Sequence, residues 1–164
     1  NVTTPHKLAA AALCDTVEPS VNTLVVREGR VEGSSTDAAV LAGLPTGSAV
    51  IIGDGGAATA FAHALPDATR FSRRGAWPPD ARGAELVVNA TSERDEVLVQ
   101  LGPGQTLVDV PYPDTATAEA ARAAGATVLS GLDVLLAQGT ASFELWTGRE
   151  APLDAMRAAL GFPE

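Results

Sequence analysis

Ala49-Val50-Ile51-Ile52-Gly53-Asp54-Gly55-Gly56-Ala57-Ala58 is the stretch on which the reading of this chain turns. An apolar run rich in β-branched residues enters a glycine bend of the form G-x-G-x-x-A, and an alanine-rich segment with helical character follows over 56–65. A strand that is apolar along its whole length is covered on both faces, as in a parallel sheet. In a strand–bend–helix unit of this kind the first glycine permits the tight turn and the second lets the backbone approach a pyrophosphate. The small third residue lets helix and strand pack closely, so the helix N-terminus faces the anion. Gly53, Gly55, Gly56 and Ala57 are therefore candidate contacts of a dinucleotide. Glycines also end strands for steric reasons alone, which leaves open a structural α/β domain with a plain turn.

Working outward, apolar runs at 49–52, 69–72, 86–89, 106–110 and 127–129 alternate with alanine-rich helical stretches at 56–65 and 116–124, and a short element is expected at 96–101. This pattern predicts a doubly wound α/β domain with a Rossmann-like parallel sheet. Helices at 132–146 and 152–160 complete it, with Thr147-Gly148 as the stop between them. Ahead of the sheet the sequence predicts a helix at 8–14 and a hairpin of 23–26 and 30–32 around Glu28-Gly29. A helix is predicted at 36–44, capped by Ser35 or Thr36.

The second sheet strand ends at Phe71-Ser72-Arg73-Arg74, about 20 residues past Gly53, where NAD-specific domains place an acidic residue on the ribose hydroxyls. Here the position is basic. An arginine pairs with a 2′-phosphate in a charge-assisted, bidentate manner, so Arg73 and Arg74 favour NADP(H), against the alternative of a solvated arginine pair on a loop. Asp54 opposes a pyrophosphate unless its carboxylate points outward, which is the expectation.

The chain has 164 residues and a formal charge of −9, which opposes general binding to nucleic acid. One cysteine, Cys14, excludes an intrachain disulfide and favours a reducing, cytoplasmic setting, and no Cys/His spacing resembles a metal site. No apolar stretch reaches the roughly 18 residues that span a bilayer. Lys7 is the sole lysine among the 11 basic residues, the rest being arginine. That choice suits a site needing a compact ammonium that can release a proton, which a guanidinium cannot. The opening residues read as mid-motif, so the chain is expected to be the later part of a longer protein.

Taken together, the motifs resemble the shikimate dehydrogenase family. Asn1-Val2-Thr3-Thr4-Pro5-His6-Lys7 resembles N-V-T-x-P-x-K, Val21-Asn22-Thr23 resembles A-V-N-T, and Ser34-Ser35-Thr36-Asp37 resembles G-x-N-T-D. Arg73 falls at the arginine of N-R-T, Asn89-Ala90-Thr91-Ser92 is kept, Asp109 and Tyr112 resemble D-x-x-Y, and Gly131 through Gln138 resembles G-x-x-M-L-x-x-Q. Phe143-Glu144-Leu145-Trp146-Thr147-Gly148 is similar to the family's closing helix.

The resemblance implies NADP-dependent reduction of 3-dehydroshikimate, or of a relative such as quinate in its oxidised form, with Lys7 as proton donor and Asp37 orienting it. It implies substrate contacts from Thr3, Asn22, Tyr112 and Gln138, and adds Asn89, Thr91 and Gly131 to the cofactor contacts. Residues 1–44 would be the end of a substrate-binding domain, 45–130 the NADP-binding domain, and 131–164 helices packing back. A monomer or homodimer is expected, and a non-catalytic cofactor-binding relative is the competing expectation.

Read without the family, Tyr112 is a half-buried core residue and Gln138 a solvated helix position, and for Asn22 a turn cap stays open as the alternative. Phe143 and Trp146 are expected in the core and His63 at the surface. Ser35, Ser72, Val134 and Glu93-Arg94-Asp95 depart from the family's usual residues.

Overall fold

The chain's structure, a computed structural model, describes residues 1–162. A short helix, α1 (Lys7–Ala11), and an antiparallel hairpin, β1 (Thr23–Arg27) and β2 (Arg30–Ser34), come first. The hairpin turns on Glu28 (φ 50°) and Gly29 (φ 78°), two successive left-handed residues whose twist matches that of the strands. A 3-10 turn, Asp37–Leu41, leads into β3 (Ala49–Ile52), α2 (Gly56–Ala64), β4 (Thr69–Phe71), β5 (Leu86–Asn89), β6 (Thr106–Asp109), α3 (Ala116–Ala123) and β7 (Thr127–Leu129). The two helices α4 (Gly131–Thr147) and α5 (Leu153–Ala159) close the chain.

The five later strands form one parallel sheet in the order β4-β3-β5-β6-β7. Alternation along the strands sorts the core into two layers. Val50, Ile52, Val87 and Leu107 face α3 and the loops bearing Ala81, Ala84, Leu98, Val99 and Leu101. Ile51, Leu86, Val88 and Val108 face α2, the 3-10 turn and Val134 of α4. The order reverses between β3 and β5, and in open sheets of this kind ligands bind beyond the carboxyl ends of the strands at that point.

Two predicted helices and one predicted short element are corrected. The segment 8–14 leaves helical geometry after Ala11, because Asp15 is drawn out to pair with β2: its N–H donates to the carbonyl of Val31 and its carbonyl accepts from Gly33. The segment 36–44 forms only the 3-10 turn, since the Thr36 N–H is taken by the Asn22 side chain at 2.8 Å and Gly43 turns left-handed before Pro45. No regular element forms at 96–101. There the Thr117 hydroxyl accepts from the Leu98 N–H and donates to the Glu96 carbonyl, so extended backbone lies along α3.

Helix α4 is the best specified. Ser130 and Asp133 form a reciprocal capping box at its start and Gly148, left-handed at φ 65°, ends it, a start signal worth about 1 kcal/mol. Among the described residues no helix is long and apolar enough to cross a membrane.

Candidate active site

Two short elements and one long helix converge on a buried polar cluster. Lys7 opens α1 and Asp37 opens the 3-10 turn, and the Lys7 Nζ donates to both carboxylate oxygens of Asp37 at 2.7 Å. Lys7 is only 9% exposed and Asp37 3%. A charge pair removed from water this far is tolerated only when further hydrogen bonds replace the lost hydration. Asn22 supplies one: its Nδ2 donates to Asp37 Oδ1 at 3.0 Å and to the Thr36 hydroxyl at 2.9 Å, with Gln138 Oε1 at 3.3 Å. Two amide protons serve three acceptors there, so the longest contact, to Gln138, is the weakest.

The cluster extends beyond the residues singled out by sequence. Ser142, one turn after Gln138 on α4, has its hydroxyl 2.8 Å from that of Thr23 and 3.0 Å from that of Thr36, and Asn1 Nδ2 donates to it at 3.3 Å. Its sequence signal was the four-residue spacing from Gln138, which puts both on one helix face. Asn22, for which a turn cap was the alternative, is the hub of this network. Gln138 is a member of it rather than a freely solvated position.

The glycine bend lies directly against the pair. Gly53 has φ 127°, and a Cβ on it would stand 2.9 Å from the Ala90 carbonyl oxygen at the end of β5, so the bend can hold no larger residue. A Cβ on Gly56 would stand 2.8 Å from Lys7 Cβ and 3.3 Å from Lys7 Cδ. The helix that follows the bend is thus seated on the lysine stem. Space is open in front of Gly55, and no side chain caps the first turn of α2. Donors aimed at open space at a helix N-terminus fit a pyrophosphate.

Asn89 and Thr91 follow β5. Asn89 Nδ2 donates to Asp109 Oδ1 at 2.7 Å, and Asn89 Oδ1 accepts from the Thr91 hydroxyl at 2.8 Å. Burial pushes the fully enclosed Asp109 carboxyl up, against the hydrogen bond from Asn89 that lowers it. Gly131 is buried where α4 begins, against Pro111 and Tyr112. Tyr112 itself is 54% exposed, not half-buried core, and its carbonyl accepts from Arg94. Thr3 is exposed, and its carbonyl accepts the N–H of His6. Of the residues expected to touch substrate, Asn22 and Gln138 are therefore brought to the pair, whereas Thr3 and Tyr112 stand at the surface.

At the end of β4, Arg73 and Arg74 are not free cations. Arg73 Nη2 donates to Glu93 at 3.0 Å and to Glu96 at 3.1 Å, and Arg74 lies 3.6 Å from Asp54. The Asp54 side chain is 44% exposed and faces that guanidinium. Trp146 is exposed at 45%, not core, and its indole N–H donates to the Leu24 carbonyl. His63 is at the surface, 3.6 Å from Glu18.

A parallel sheet in this order, with a glycine bend at the reversal of strand order, defines a dinucleotide-binding α/β protein. Residues 131–160 match the family model described as the shikimate 5′-dehydrogenase C-terminal domain. The NADP(+)-dependent shikimate dehydrogenase of Anaeromyxobacter sp. (strain Fw109-5) is 37% identical, over 99% of this chain and 76% of its own length.

Among solved structures, shikimate 5-dehydrogenase from Thermus thermophilus, in complex with NADP(H) and shikimate, matches with TM-score 0.82 at 31% identity, covering 98% of this chain and 77% of that one. Quinate dehydrogenase from Corynebacterium glutamicum, in complex with NAD, matches with TM-score 0.74 at 26% identity, covering 96% and 75%. The chain belongs to the shikimate dehydrogenase family. The alignment with the Anaeromyxobacter enzyme runs over 212 positions against the 164 residues here, so this chain is shorter within the shared region itself. The connections β4 to β5 and β5 to β6 carry no helix, and their loops cover the sheet through Ala81, Ala84, Leu98, Val99 and Leu101.

Proposed function

We propose that this chain catalyses the NADPH-dependent reduction of 3-dehydroshikimate to shikimate, with Lys7 as proton donor. The observation that carries the reading is the buried Lys7–Asp37 pair seated against the glycine bend of a dinucleotide-binding sheet.

The backbone of Gly53 to Ala57 and the start of α2 would hold the pyrophosphate, Arg73 the adenosine end, and Asn89, Thr91 and Gly131 the loops around the nicotinamide. When bound, the reduced nicotinamide supplies a hydride to the substrate carbonyl carbon. The carbonyl oxygen gains negative charge as its π bond opens, and the Lys7 ammonium both stabilises that charge and gives it a proton, leaving an alcohol. Lys7 regains its proton from solvent. Asp37 accepts from the ammonium with both oxygens, which fixes the direction of the N–H that remains for substrate. Asn22 anchors Asp37 and, with Gln138, offers polar groups to a polyhydroxylated ring. The dry surroundings of the pair strengthen each of these interactions relative to water.

We read residues 1–44 as the end of the substrate-binding part and 45–130 as the cofactor-binding part. The segment 131–164 packs back through α4 on the 3-10 turn and β1; its last two residues lie outside the described ones. A cytoplasmic monomer or homodimer completes the proposal, and sedimentation velocity tests the oligomeric state.

Loss of reduced-nicotinamide absorbance on adding 3-dehydroshikimate tests the reaction, with 3-dehydroquinate run beside it. Turnover with the first and little with the second is expected. Turnover with neither, or turnover unchanged in Lys7→Ala, would sink the assignment.

A further inference from the structure

The end of β4 carries more negative than positive charge. Two cations, Arg73 and Arg74, are met there by three carboxylates, Glu93, Glu96 and Asp54. Glu93 is the better anchored. The backbone N–H groups of Arg94 and Asp95 donate to its Oε1 at 3.0 and 3.2 Å. The Asp95 N–H foremost, with Arg73 also contributing, holds its carboxyl below the usual carboxylate range. Glu96 reaches the same guanidinium nitrogen from a side chain that is 68% exposed. The Trp77 ring lies 5.6 Å from the guanidinium on another side, which holds the arginine in place.

This arrangement differs from a plain phosphate pocket. A phosphomonoester carries about −1.5 to −2 charges at pH 7 and here would meet an arginine already neutralised by two carboxylates. A ribose hydroxyl, by contrast, is a donor, and a carboxylate beside the end of the second sheet strand is the acceptor that NAD-binding domains use.

We propose that Glu93 and Glu96 set the cofactor selectivity of this chain: they compete with the 2′-phosphate of NADP(H) for Arg73 and offer an acceptor to the ribose hydroxyls of NAD(H). Discrimination between the two cofactors is accordingly shallow, and these two side chains govern its depth. The inference rests on the cofactor site proposed above.

Calorimetric titration of the full chain with adenosine 2′,5′-bisphosphate and with AMP reads the effect without any turnover. In Glu93→Gln/Glu96→Gln the bisphosphate should bind about 10-fold more tightly, from two nearby charges removed in a largely aqueous setting, while AMP is unchanged or weaker. Adding Arg73→Ala should abolish the gain. The ratio of kcat/KM for NADPH over NADH should rise in parallel. Glu96→Gln alone, at an exposed side chain, should give part of the gain in a protein whose fold is not in question. An unchanged bisphosphate affinity, or an equal change for both nucleotides, overturns the proposal while leaving the cofactor site standing. Failure of the wild type and every variant to bind either nucleotide removes the site itself.

Discussion

The Lys7–Asp37 pair and the Arg73–Glu93–Glu96 cluster have similar donor–acceptor distances, 2.7 Å in the first and 3.0 to 3.1 Å in the second, yet they are physically unlike. The first is buried, each charge has one geometry, and neighbouring amides and hydroxyls complete its hydrogen bonds. The second is open to water, where such contacts contribute little to stability and rearrange readily. Burial, rather than distance, separates an ion pair on which the fold depends from one that a ligand can rewrite.

Breaking the buried pair tests that contrast most severely. Lys7→Met leaves the Asp37 carboxylate enclosed without a counter-charge, a loss of about 3–5 kcal/mol in urea unfolding. Turnover should fall by about 100-fold or more. Lys7→Met/Asp37→Leu should recover most of the stability and none of the turnover. A single variant as stable as the wild type would show that the pair is not dry.

Next in size is Gly56→Ala, which sets a methyl against the Lys7 stem and should cost about 1–3 kcal/mol. Its kcat should fall by more than its affinity for NADPH, separating the lysine from the cofactor role of the bend. Ser142→Ala leaves the Thr23 and Thr36 hydroxyls short of a partner and should cost about 1–2 kcal/mol by the same measurement.

A smaller effect is expected at Asp109, at the end of β6. Its folded carboxyl is raised above its unfolded value, so the native state holds the proton more tightly. The contribution is present below the ordinary aspartate range, near 3.9, and is lost as pH climbs from there through the raised folded value. Asp109→Asn keeps an acceptor for Asn89 and should flatten that decline in a series of urea titrations. The least change belongs to Asp54→Ala at the open cluster, within about 0.5 kcal/mol and shrinking further in salt.

Legibility followed the range of the forces involved. Strands 49–52 and 86–89 stand where the apolar pattern put them, because burial on both faces of a sheet is written residue by residue, and the partly exposed edge strand 127–129 keeps its predicted bounds as well. The capping box and Gly148 similarly fixed the ends of α4 within one residue of expectation. At 8–14, 36–44 and 96–101 the local expectation lost to partners distant in sequence: β2 for Asp15, Asn22 for Thr36, and Thr117 for Glu96 and Leu98. Lys7, Asp37 and Asn22 were readable from motifs, whereas Ser142 carried only its four-residue spacing from Gln138, and its partners Thr23 and Thr36 lie 119 and 106 residues away.

The sequence by itself determined the parallel sheet, the glycine bend at its reversal and the identity of the one lysine, because hydrophobic pattern and backbone sterics act locally. Only the tertiary structure decided that the lysine stem rests on Gly56 and that Arg73 comes with two carboxylates already attached. Those facts depend on which distant side chains burial brings within a few ångströms of each other, and no local pattern encodes that.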